Sequence, residues 1–359
     1  MARITKARRA LEASSAANHN HRLKELDEFG SNPGDLIART FVPDTIKPNA
    51  PLVVVLHGCT QNAALYDTGS GWSELAGREG FALLYAEQQR SNNANLCFNW
   101  YQPGDAARGK GEAHSISQMV AHMTAQHKLD PSRVFVTGLS AGGAMASVML
   151  ATYPDLFAGG AVIAGLPFAS ARTLPEALER MRGRGAPSRP SLASRARSAA
   201  SHSGPMPSLS VWHGTQDSIV HPSNAGEMID QWRDLYGLDG SASSVEQIGR
   251  HSRETWRDDA GRAVIERYDI EGMGHGTPLA TAGEEGLGAA GPHMLEAGIS
   301  STRRIAEFWG LSEPVEATAS PSARRPQAPA PPPPQARPAN DSGPGKVIED
   351  ALRAAGLMR

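Results

Sequence analysis

The chain has 359 residues, of which 40% are hydrophobic and 20% charged, and its formal net charge at pH 7 is -2. This length and composition are sufficient for one full domain core with additional tails, and the near-neutral charge gives no indication of a nucleic-acid or anionic-membrane partner. No apolar run approaches the ~20 residues needed to span a bilayer, and two cysteines are too few for a disulfide-dense scaffold or a cysteine-rich metal site.

Residues 1–30 are predicted to form a mobile arm that precedes the catalytic domain, because they are charged and rich in alanine. Short helices over residues 7–11 and 21–29 are compatible with such an arm. The positive charges near the N-terminus are typical of a signal-peptide n-region, but no continuous apolar segment follows them. The sequence therefore contains no legible Sec signal.

The catalytic domain is predicted over residues 31–312 from strands that alternate with helices. Apolar and β-branched runs indicate the strands, and apolar or amphipathic segments between them indicate the helices. The predicted strands cover residues 36–43, 52–56, 81–85, 134–136, 160–164, 209–214 and 264–270. The predicted helices cover residues 73–80, 112–128, 144–151, 223–236 and 299–309. This alternation is typical of a mostly parallel sheet with helices on both faces, and the fold class is α/β.

Two regions depart from this alternation. Residues 169–207 contain seven arginines among Pro, Ser, Ala and Gly. They are interpreted either as a solvated, partly disordered insertion or as a cap over the catalytic edge of the sheet. Residues 313–345 are rich in proline and predict a stiff linker, and residues 346–359 predict one short C-terminal helix.

The most informative stretch is Gly-Leu-Ser-Ala-Gly at residues 138–142, which joins a predicted strand to a predicted helix. This is the G-x-S-x-G pattern of a nucleophile elbow, in which a serine in a strained turn projects its hydroxyl from the sheet. Side chains in place of Gly138 and Gly142 would collide with the neighbouring strand and helix. The predicted nucleophile is therefore Ser140.

A serine hydroxyl needs a base to take its proton and an acid to orient that base. In α/β-hydrolase sheets these residues follow in the order Ser, Asp or Glu, His. Asp217 comes after a predicted strand, and His275 lies in a Gly-rich loop after the next long strand. The sequence therefore predicts a catalytic triad of Ser140, Asp217 and His275.

Other candidates fit these roles less well. His57 is expected to shape the oxyanion loop, and His213 and His221 are expected to be structural neighbours of Asp217. The remaining candidates lie outside a strand-end turn or inside a predicted element, and they are His251, His293, Asp230 and Asp269.

Acyl transfer also requires two hydrogen-bond donors for the oxyanion, each worth about 3 kcal/mol. The Ala141 N–H, at the start of the helix that follows the elbow, is one predicted donor. The second is expected in the loop after the early buried strand and is assigned to the Cys59 N–H. The sequence contains no His-Glu-x-x-His pattern and no cysteine spacing typical of a metal site, so neither metal nor cofactor is predicted.

Taken together, these motifs resemble the esterase family of extracellular poly(3-hydroxybutyrate) depolymerases, which also includes feruloyl-esterase-like members. The matching stretches, in order, are residues 56–62, 97–101, 138–145, 161–167, 211–217 and 272–278. The resemblance implies an α/β-hydrolase fold, ester hydrolysis and the same triad. It also implies that Cys59 and Cys97 form a disulfide that braces the oxyanion loop, and that Trp100 contacts the substrate.

The residues alone leave alternatives open at these positions. A disulfide that closes this loop would contribute about 3–4 kcal/mol, but a reducing cytosol would keep both thiols free. Trp100 fits a core position as well as a substrate contact. Localisation stays open, because the family is mostly extracellular while no Sec signal is legible here, and the oligomeric state is not predicted.

The sequence thus predicts a serine esterase that hydrolyses short hydroxyalkanoate esters, polymeric or oligomeric, through an acyl-enzyme. The alternative enzyme is a feruloyl or acetyl carbohydrate esterase with the same catalytic residues. A hypothesis of a different class is a polyester-granule-binding protein with a vestigial hydrolase domain, which the Pro-rich linker and terminal helix would support. The intact Ser-Asp-His set argues against it.

Overall fold

The structure is a computed structural model that describes residues 22–283 and 286–314. The predicted C-terminal helix, nearly all of the predicted linker and most of the predicted N-terminal arm lie outside these residues. None of the described helices is both long enough and apolar enough to cross a membrane.

A ten-stranded sheet runs through the centre of the fold. In chain order its strands are β1 (Lys24–Leu26), β2 (Ile37–Phe41), β3 (Leu52–Leu56), β4 (Ala82–Glu87), β5 (Val134–Leu139), β6 (Gly159–Ile163), β7 (Ser208–Gly214), β8 (Ser244–Ile248), β9 (His251–Arg257) and β10 (Ala263–Ile270). Their spatial order is β1-β2-β4-β3-β5-β6-β7-β10-β9-β8. The six central strands, which in spatial order are β4, β3, β5, β6, β7 and β10, are parallel to one another. At one edge β1 and β2 pair antiparallel, and at the other edge β9 and β8 do the same. The predicted mostly parallel sheet is confirmed.

Helices cover both faces of this sheet. They are α1 (Ala63–Ser70), α2 (Trp72–Glu79), α3 (Gly111–His127), α4 (Ala141–Thr152), α5 (Leu174–Met181), α6 (Arg189–Arg197), α7 (Ser223–Tyr236) and α8 (Ser301–Phe308). Buried residues of α3, α4 and α7 belong to one apolar cluster, and those of α1, α2 and α8 belong to a second. A separate parallel pair of short strands consists of β11 (Thr277–Leu279) and β12 (Met294–Glu296).

The central strand β3 shows why its sequence is apolar throughout. Leu52, Val54 and Leu56 pack in the first cluster, and Val53 and Val55 pack in the second. Because successive side chains of a strand point to opposite faces, a strand covered on both sides needs no polar face. The same argument explains the apolar runs of β4 and β5. Because β3, β4 and β5 are parallel, their carboxyl ends lie at the same edge of the sheet.

Part of the predicted N-terminal arm belongs to the sheet. Residues 24–26 form β1, which pairs antiparallel with residues 38–40 of β2, and Glu25 lies 3.2 Å from Arg39 in an ion pair. The short helix expected over residues 21–29 is therefore replaced by an edge strand. A strand of three residues carries too little pattern to be predicted, and the free edge of β2 provides its partner.

The Arg-rich residues 169–207 contain α5 and α6, and these helices are attached to α7 through their arginines. Arg180 is buried and pairs with Glu227, and Arg189 Nη2 lies 2.5 Å from Asp234 Oδ1. Arg197 donates to the carbonyl oxygen of Asp234. The acidic partners lie on a helix about forty residues later in the chain, so they carry no local signal. A cap over the active site stays a prediction.

Candidate active site

Ser140 occupies the turn between β5 and α4 with φ 56° and ψ -118°, and its N–H donates to the Ile163 carbonyl at 2.8 Å. A Cβ atom on Gly138 would lie 2.4 Å from the carbonyl carbon of Gly142, and one on Gly142 would lie 2.3 Å from the Leu56 carbonyl oxygen. Both distances are shorter than Cβ atoms reach in proteins. The turn therefore requires glycine at both positions, and it holds the serine at a positive φ that residues other than glycine rarely adopt.

Asp217 and His275 meet in a short hydrogen bond. His275 Nδ1 lies 2.7 Å from Asp217 Oδ2, and the aspartate side chain has no exposed surface. The other carboxylate oxygen, Oδ1, accepts from the N–H groups of Ile219 and Val220, both at 2.9 Å. Burial by itself would raise the pKa of Asp217, but the hydrogen bonds from His213 and His275 outweigh it and lower the pKa well below the ordinary value.

This charge state fixes the protonation of the imidazole. An ionised carboxylate only accepts hydrogen bonds, so His275 Nδ1 carries its proton and donates it to Asp217. The second ring nitrogen, Nε2, is then free to accept a proton. The arrangement therefore provides an oriented base at the loop that follows β10.

His213 also contacts the Asp217 carboxylate. Its Nε2 lies 2.8 Å from the Val220 carbonyl oxygen, to which it must donate, and 3.4 Å from Asp217 Oδ2. The His275 loop is tied to the Asp217 loop by the N–H of Gln216, which donates to the Met273 carbonyl at 3.0 Å. Both contacts agree with a structural role for His213.

The loop after β3 is shaped by His57, which is fully buried. The Gln88 N–H donates to His57 Nε2 at 3.1 Å, so His57 Nδ1 carries the proton and donates to the Gly58 carbonyl at 2.8 Å. Burial lowers the pKa of His57, which keeps the ring neutral. These contacts agree with the prediction that His57 shapes the oxyanion loop.

The structure contains the disulfide between Cys59 and Cys97, with the two Cα atoms 4.3 Å apart. Of the two alternatives for these cysteines, the described chain has the bonded one. Neither the Cys59 N–H nor the Ala141 N–H donates to any described residue. N–H groups without an acceptor are the chemistry that an oxyanion site requires, and the assignment of these two groups to that site stays a prediction.

The hydroxyl of Ser140 also makes no hydrogen bond to the described residues. In enzymes without a bound substrate, the contact between nucleophile and base is often long and tightens only in the complex.

Trp100 is largely buried, with 7% of its surface exposed, and its ring meets Tyr101 edge to face with centroids 5.5 Å apart. Its packing in the first apolar cluster gives it the contacts of a core residue. A substrate contact stays a prediction.

One neighbour of His275 was not assigned to the site from the sequence. His293 Nδ1 lies 3.2 Å from the His275 carbonyl oxygen, and the two rings stand nearly perpendicular with centroids 5.8 Å apart. The pairing of β11 with β12 brings the two loops together. No local sequence signal indicates this contact. Among the described residues, no group of three or more His, Cys, Asp or Glu side chains is placed to hold a metal ion.

Comparisons with known proteins agree on one family. A family model described as Esterase PHB depolymerase matches residues 37–256. The chain is 44% identical over 292 residues to poly(3-hydroxyalkanoate) depolymerase C of Paucimonas lemoignei, an alignment that covers 80% of this chain and 70% of the relative. It is 34% identical over 272 residues to a probable acetylxylan esterase A of Aspergillus flavus, covering 69% of this chain and 86% of the relative.

Among solved structures, an acetyl xylan esterase from Aspergillus awamori has a TM-score of 0.69 at 24% identity, covering 81% of this chain and 99% of that one. This likeness shows a shared fold, and the expected α/β-hydrolase architecture is confirmed.

Proposed function

The chain belongs to the Esterase PHB depolymerase family, and we propose from this membership and from the geometry of its site that it is a serine esterase acting on short hydroxyalkanoate esters, polymeric or oligomeric. The observation that carries the proposal is the 2.7 Å hydrogen bond from His275 to the buried Asp217 carboxylate. This pair follows β7 and β10, at the same edge of the parallel sheet as the elbow of Ser140. A proton acceptor and a nucleophile at one edge are what acyl transfer needs.

In the proposed mechanism the Ser140 hydroxyl attacks the ester carbonyl while His275 Nε2 takes its proton. The tetrahedral intermediate collapses to an acyl-enzyme, and the alcohol leaves with the proton from His275. Water then attacks the acyl-enzyme, gives its proton to His275 and releases the acid, and the proton returns to Ser140. Asp217 stays ionised throughout and stabilises the imidazolium that forms twice in each cycle.

The Ala141 and Cys59 N–H groups are the proposed donors to the oxyanion. Their support is that both lack an acceptor among the described residues, while Ala141 also begins α4, where the helix dipole favours negative charge. We further propose that Trp100 meets the substrate through the small part of its surface that stays exposed.

The proposed substrate class comes from the relatives. The one at 44% identity is named a poly(3-hydroxyalkanoate) depolymerase, which favours hydroxyalkanoate esters. The likeness to acetylxylan esterases, over 86% of the length of the Aspergillus flavus relative, supports acetyl or feruloyl carbohydrate esters as the second candidate. A granule-binding protein without activity is the non-enzymatic candidate, and the Asp217–His275 hydrogen bond argues against it.

The test compares hydrolysis of p-nitrophenyl butyrate, a poly(3-hydroxybutyrate) suspension, acetylated xylan and a feruloyl ester by the wild type and Ser140→Ala. The matched control is Ser147→Ala, because Ser147 is a buried serine on α4, the helix that follows Ser140, and its hydroxyl has no partner among the described residues. We expect Ser147→Ala to clear the polymer and Ser140→Ala to lose all turnover. Turnover of the carbohydrate esters alone would favour the second candidate. A wild type inactive on all four substrates would refute the proposal.

A further inference from the structure

Behind the oxyanion loop lies a buried carboxylate that the proposed mechanism does not use. Glu112 stands in the first turn of α3 and has no exposed surface. Its Oε1 accepts from Gln88 Nε2 at 2.6 Å and from Asn92 Nδ2 at 3.3 Å, and its Oε2 accepts from the Asn99 N–H at 2.8 Å. Every one of these partners is a donor. The described hydrogen-bond partners of the Glu112 carboxyl group therefore match a carboxylate and include no acceptor for a protonated acid.

Gln88 connects this carboxylate to the oxyanion loop. Its backbone N–H donates to His57 Nε2 at 3.1 Å, and its side-chain Nε2 also donates to the Cys97 carbonyl at 3.1 Å. His57 precedes Cys59 by two residues, and Cys97 is bonded to Cys59 through the disulfide. The position of Cys59 is thus linked to Glu112 through Gln88, whose backbone contacts His57 and whose side chain contacts Cys97.

The backbone beside both cysteines is strained. Thr60 has φ 63° and Leu96 has φ 54°, in the left-handed region that β-branched and bulky residues rarely adopt. The Thr60 N–H donates to the Asn95 carbonyl at 2.7 Å, which ties the two strained segments to each other. Conformations of this kind persist only where surrounding contacts over-determine them. The loop that carries the Cys59 N–H therefore needs to be held from outside.

We propose that Glu112 is a positioning residue for the oxyanion loop: by holding Gln88 and the backbone of Asn99, its carboxylate keeps the Cys59 N–H directed at the oxyanion. This inference rests on the proposed function, because it requires Cys59 to be an oxyanion donor. A donor of this type acts on the transition state more than on the bound ester, so its displacement lowers kcat and leaves KM nearly unchanged.

The protonation of Glu112 gives the inference a second, independent signature. Burial raises the pKa of Glu112 to about 8, although hydrogen bonds from Asn99 and Gln88 oppose the rise and Asp105 adds to it. When protonated, Glu112 turns a hydroxyl toward a donor and loses one of its contacts. The hold on the loop therefore strengthens as Glu112 ionises, and kcat rises from about pH 7 to about pH 9.

Other titratable groups lie on the elements around Glu112. Burial lowers the pKa of His57 and raises the pKa of Tyr101 and of Asp105. The titratable groups that interact with Glu112, or with the residues around its hydrogen-bond partners, are Asp35, His57, Glu87, Tyr101 and Asp105. A variant at Glu112 separates its contribution from theirs.

The test variant is Glu112→Gln. An amide in either orientation turns its NH2 group toward a donor, either Asn99 or the pair of Gln88 and Asn92. A flip of the Gln88 amide does not relieve this, because Gln88 Oε1 already accepts from the Gln89 N–H at 2.9 Å. Removing one oxyanion donor costs about 10²–10³ in kcat. Because Cys59 is displaced and not removed, we expect kcat on p-nitrophenyl butyrate to fall about 10- to 100-fold, with KM within about threefold. The rise from pH 7 to pH 9 is expected to disappear.

Glu266→Gln is the matched control. Glu266 is as fully buried as Glu112, and it lies on β10, which is remote from the 88–99 loop. It accepts from Ser210 Oγ at 2.7 Å and pairs with Arg253. Burial raises the pKa of Glu266 to about 7. This variant is expected to melt at a lower temperature with unchanged kcat and pH profile. A second test variant, Gln88→Leu, removes the side-chain link. It is expected to lose as much kcat as Glu112→Gln, and the double variant is expected to lose little more.

Each outcome decides one question. A folded Glu112→Gln enzyme with wild-type kcat and the wild-type pH profile overturns the inference and leaves the proposed function standing. If Glu112→Gln does not fold, Gln88→Leu decides in its place, and wild-type kcat in that variant overturns the inference. A wild type with no esterase activity refutes the proposed function instead.

Discussion

Replacing Asp217 by asparagine tests the proposed catalytic pair with little change in shape. Asp217 Oδ1 accepts two backbone N–H groups, from Ile219 and Val220, so the amide oxygen of Asn must remain at that position. The amide NH2 then takes the place of Oδ2, 2.7 Å from His275 Nδ1. Two donors cannot share that contact, and His275 turns to the tautomer with its proton on Nε2.

The wrong tautomer cannot take the proton of Ser140. In Ser-His-Asp enzymes the same substitution lowers kcat by about 10⁴-fold, which corresponds to about 5 kcal/mol of transition-state stabilisation. We expect a loss of this size for Asp217→Asn on p-nitrophenyl butyrate at neutral pH, with little change in KM. The fold is expected to survive, because only the Oδ2 side of the carboxylate changes its hydrogen bonding.

The matched control is Asp230→Asn. Asp230 is 42% exposed in its side chain and pairs with Arg189 and Arg233 on the surface of α7. Exposed ion pairs contribute about 0–1 kcal/mol, so this variant is expected to keep its kcat and nearly all of its stability. If Asp217→Asn lost less than about tenfold in kcat, the acid that orients His275 would have to be sought elsewhere and the tautomer argument would be wrong.

Three further predictions follow from other parts of the structure. Gly142→Ala places a Cβ 2.3 Å from the Leu56 carbonyl oxygen, so we expect a loss of about 1–3 kcal/mol in unfolding free energy. Its control is Gly104→Ala, whose added Cβ meets nothing within 4 Å and which is expected to leave the melting temperature unchanged. Replacing Cys59 and Cys97 by serine opens a loop of sequence separation 38, and we expect the unfolding free energy measured in urea to fall by about 4 kcal/mol. An unchanged midpoint would mean that the loop is already closed in the unfolded state. Burial raises the pKa of Glu266 to about 7, above its unfolded value, so the folded state binds more protons and stability falls as pH rises from about 4.5 to about 7. The difference in unfolding free energy between the wild type and Glu266→Gln should therefore shift against the wild type over that interval, and a constant difference would contradict the assignment.

The sharp turn at Ser140 could be predicted from sequence because its constraint is local. Gly138 and Gly142 lie four residues apart in the chain. The backbone atoms that exclude a Cβ at these positions belong to the elbow itself and to the end of β3. The apolar strands are predictable for a similar reason, since burial on both faces leaves a continuous run of aliphatic residues. The order of Asp217 and His275 in the chain and their place after strands predict the edge of the sheet where they lie but not the 2.7 Å contact between them.

Elements whose stability depends on distant partners could not be predicted. The strand β8 is largely exposed and carries polar residues, and only its pairing with β9 makes it a strand. The helix α1 contains Asp67, Gly69 and Ser70, which are poor helix formers, yet most of its residues are buried against other elements. Glu112 likewise resembles an ordinary acidic residue in the first turn of a helix. Its donors come from residues 88–99, and nothing in the pattern of α3 indicates them.

The proposed site therefore has two parts that respond differently to mutation, one fixed by local contacts and one supported by residues distant in sequence. The elbow is fixed by steric exclusion, and the Asp217–His275 pair is fixed by a buried carboxylate that accepts three hydrogen bonds. The Cys59 N–H is held by the disulfide on one side and by the path from Glu112 through Gln88 on the other, against strain at Thr60. Loss of either support leaves the other to resist the strain alone. Loss of both is therefore expected to lower kcat by more than the product of the separate effects, while Ser140 and His275 keep their places.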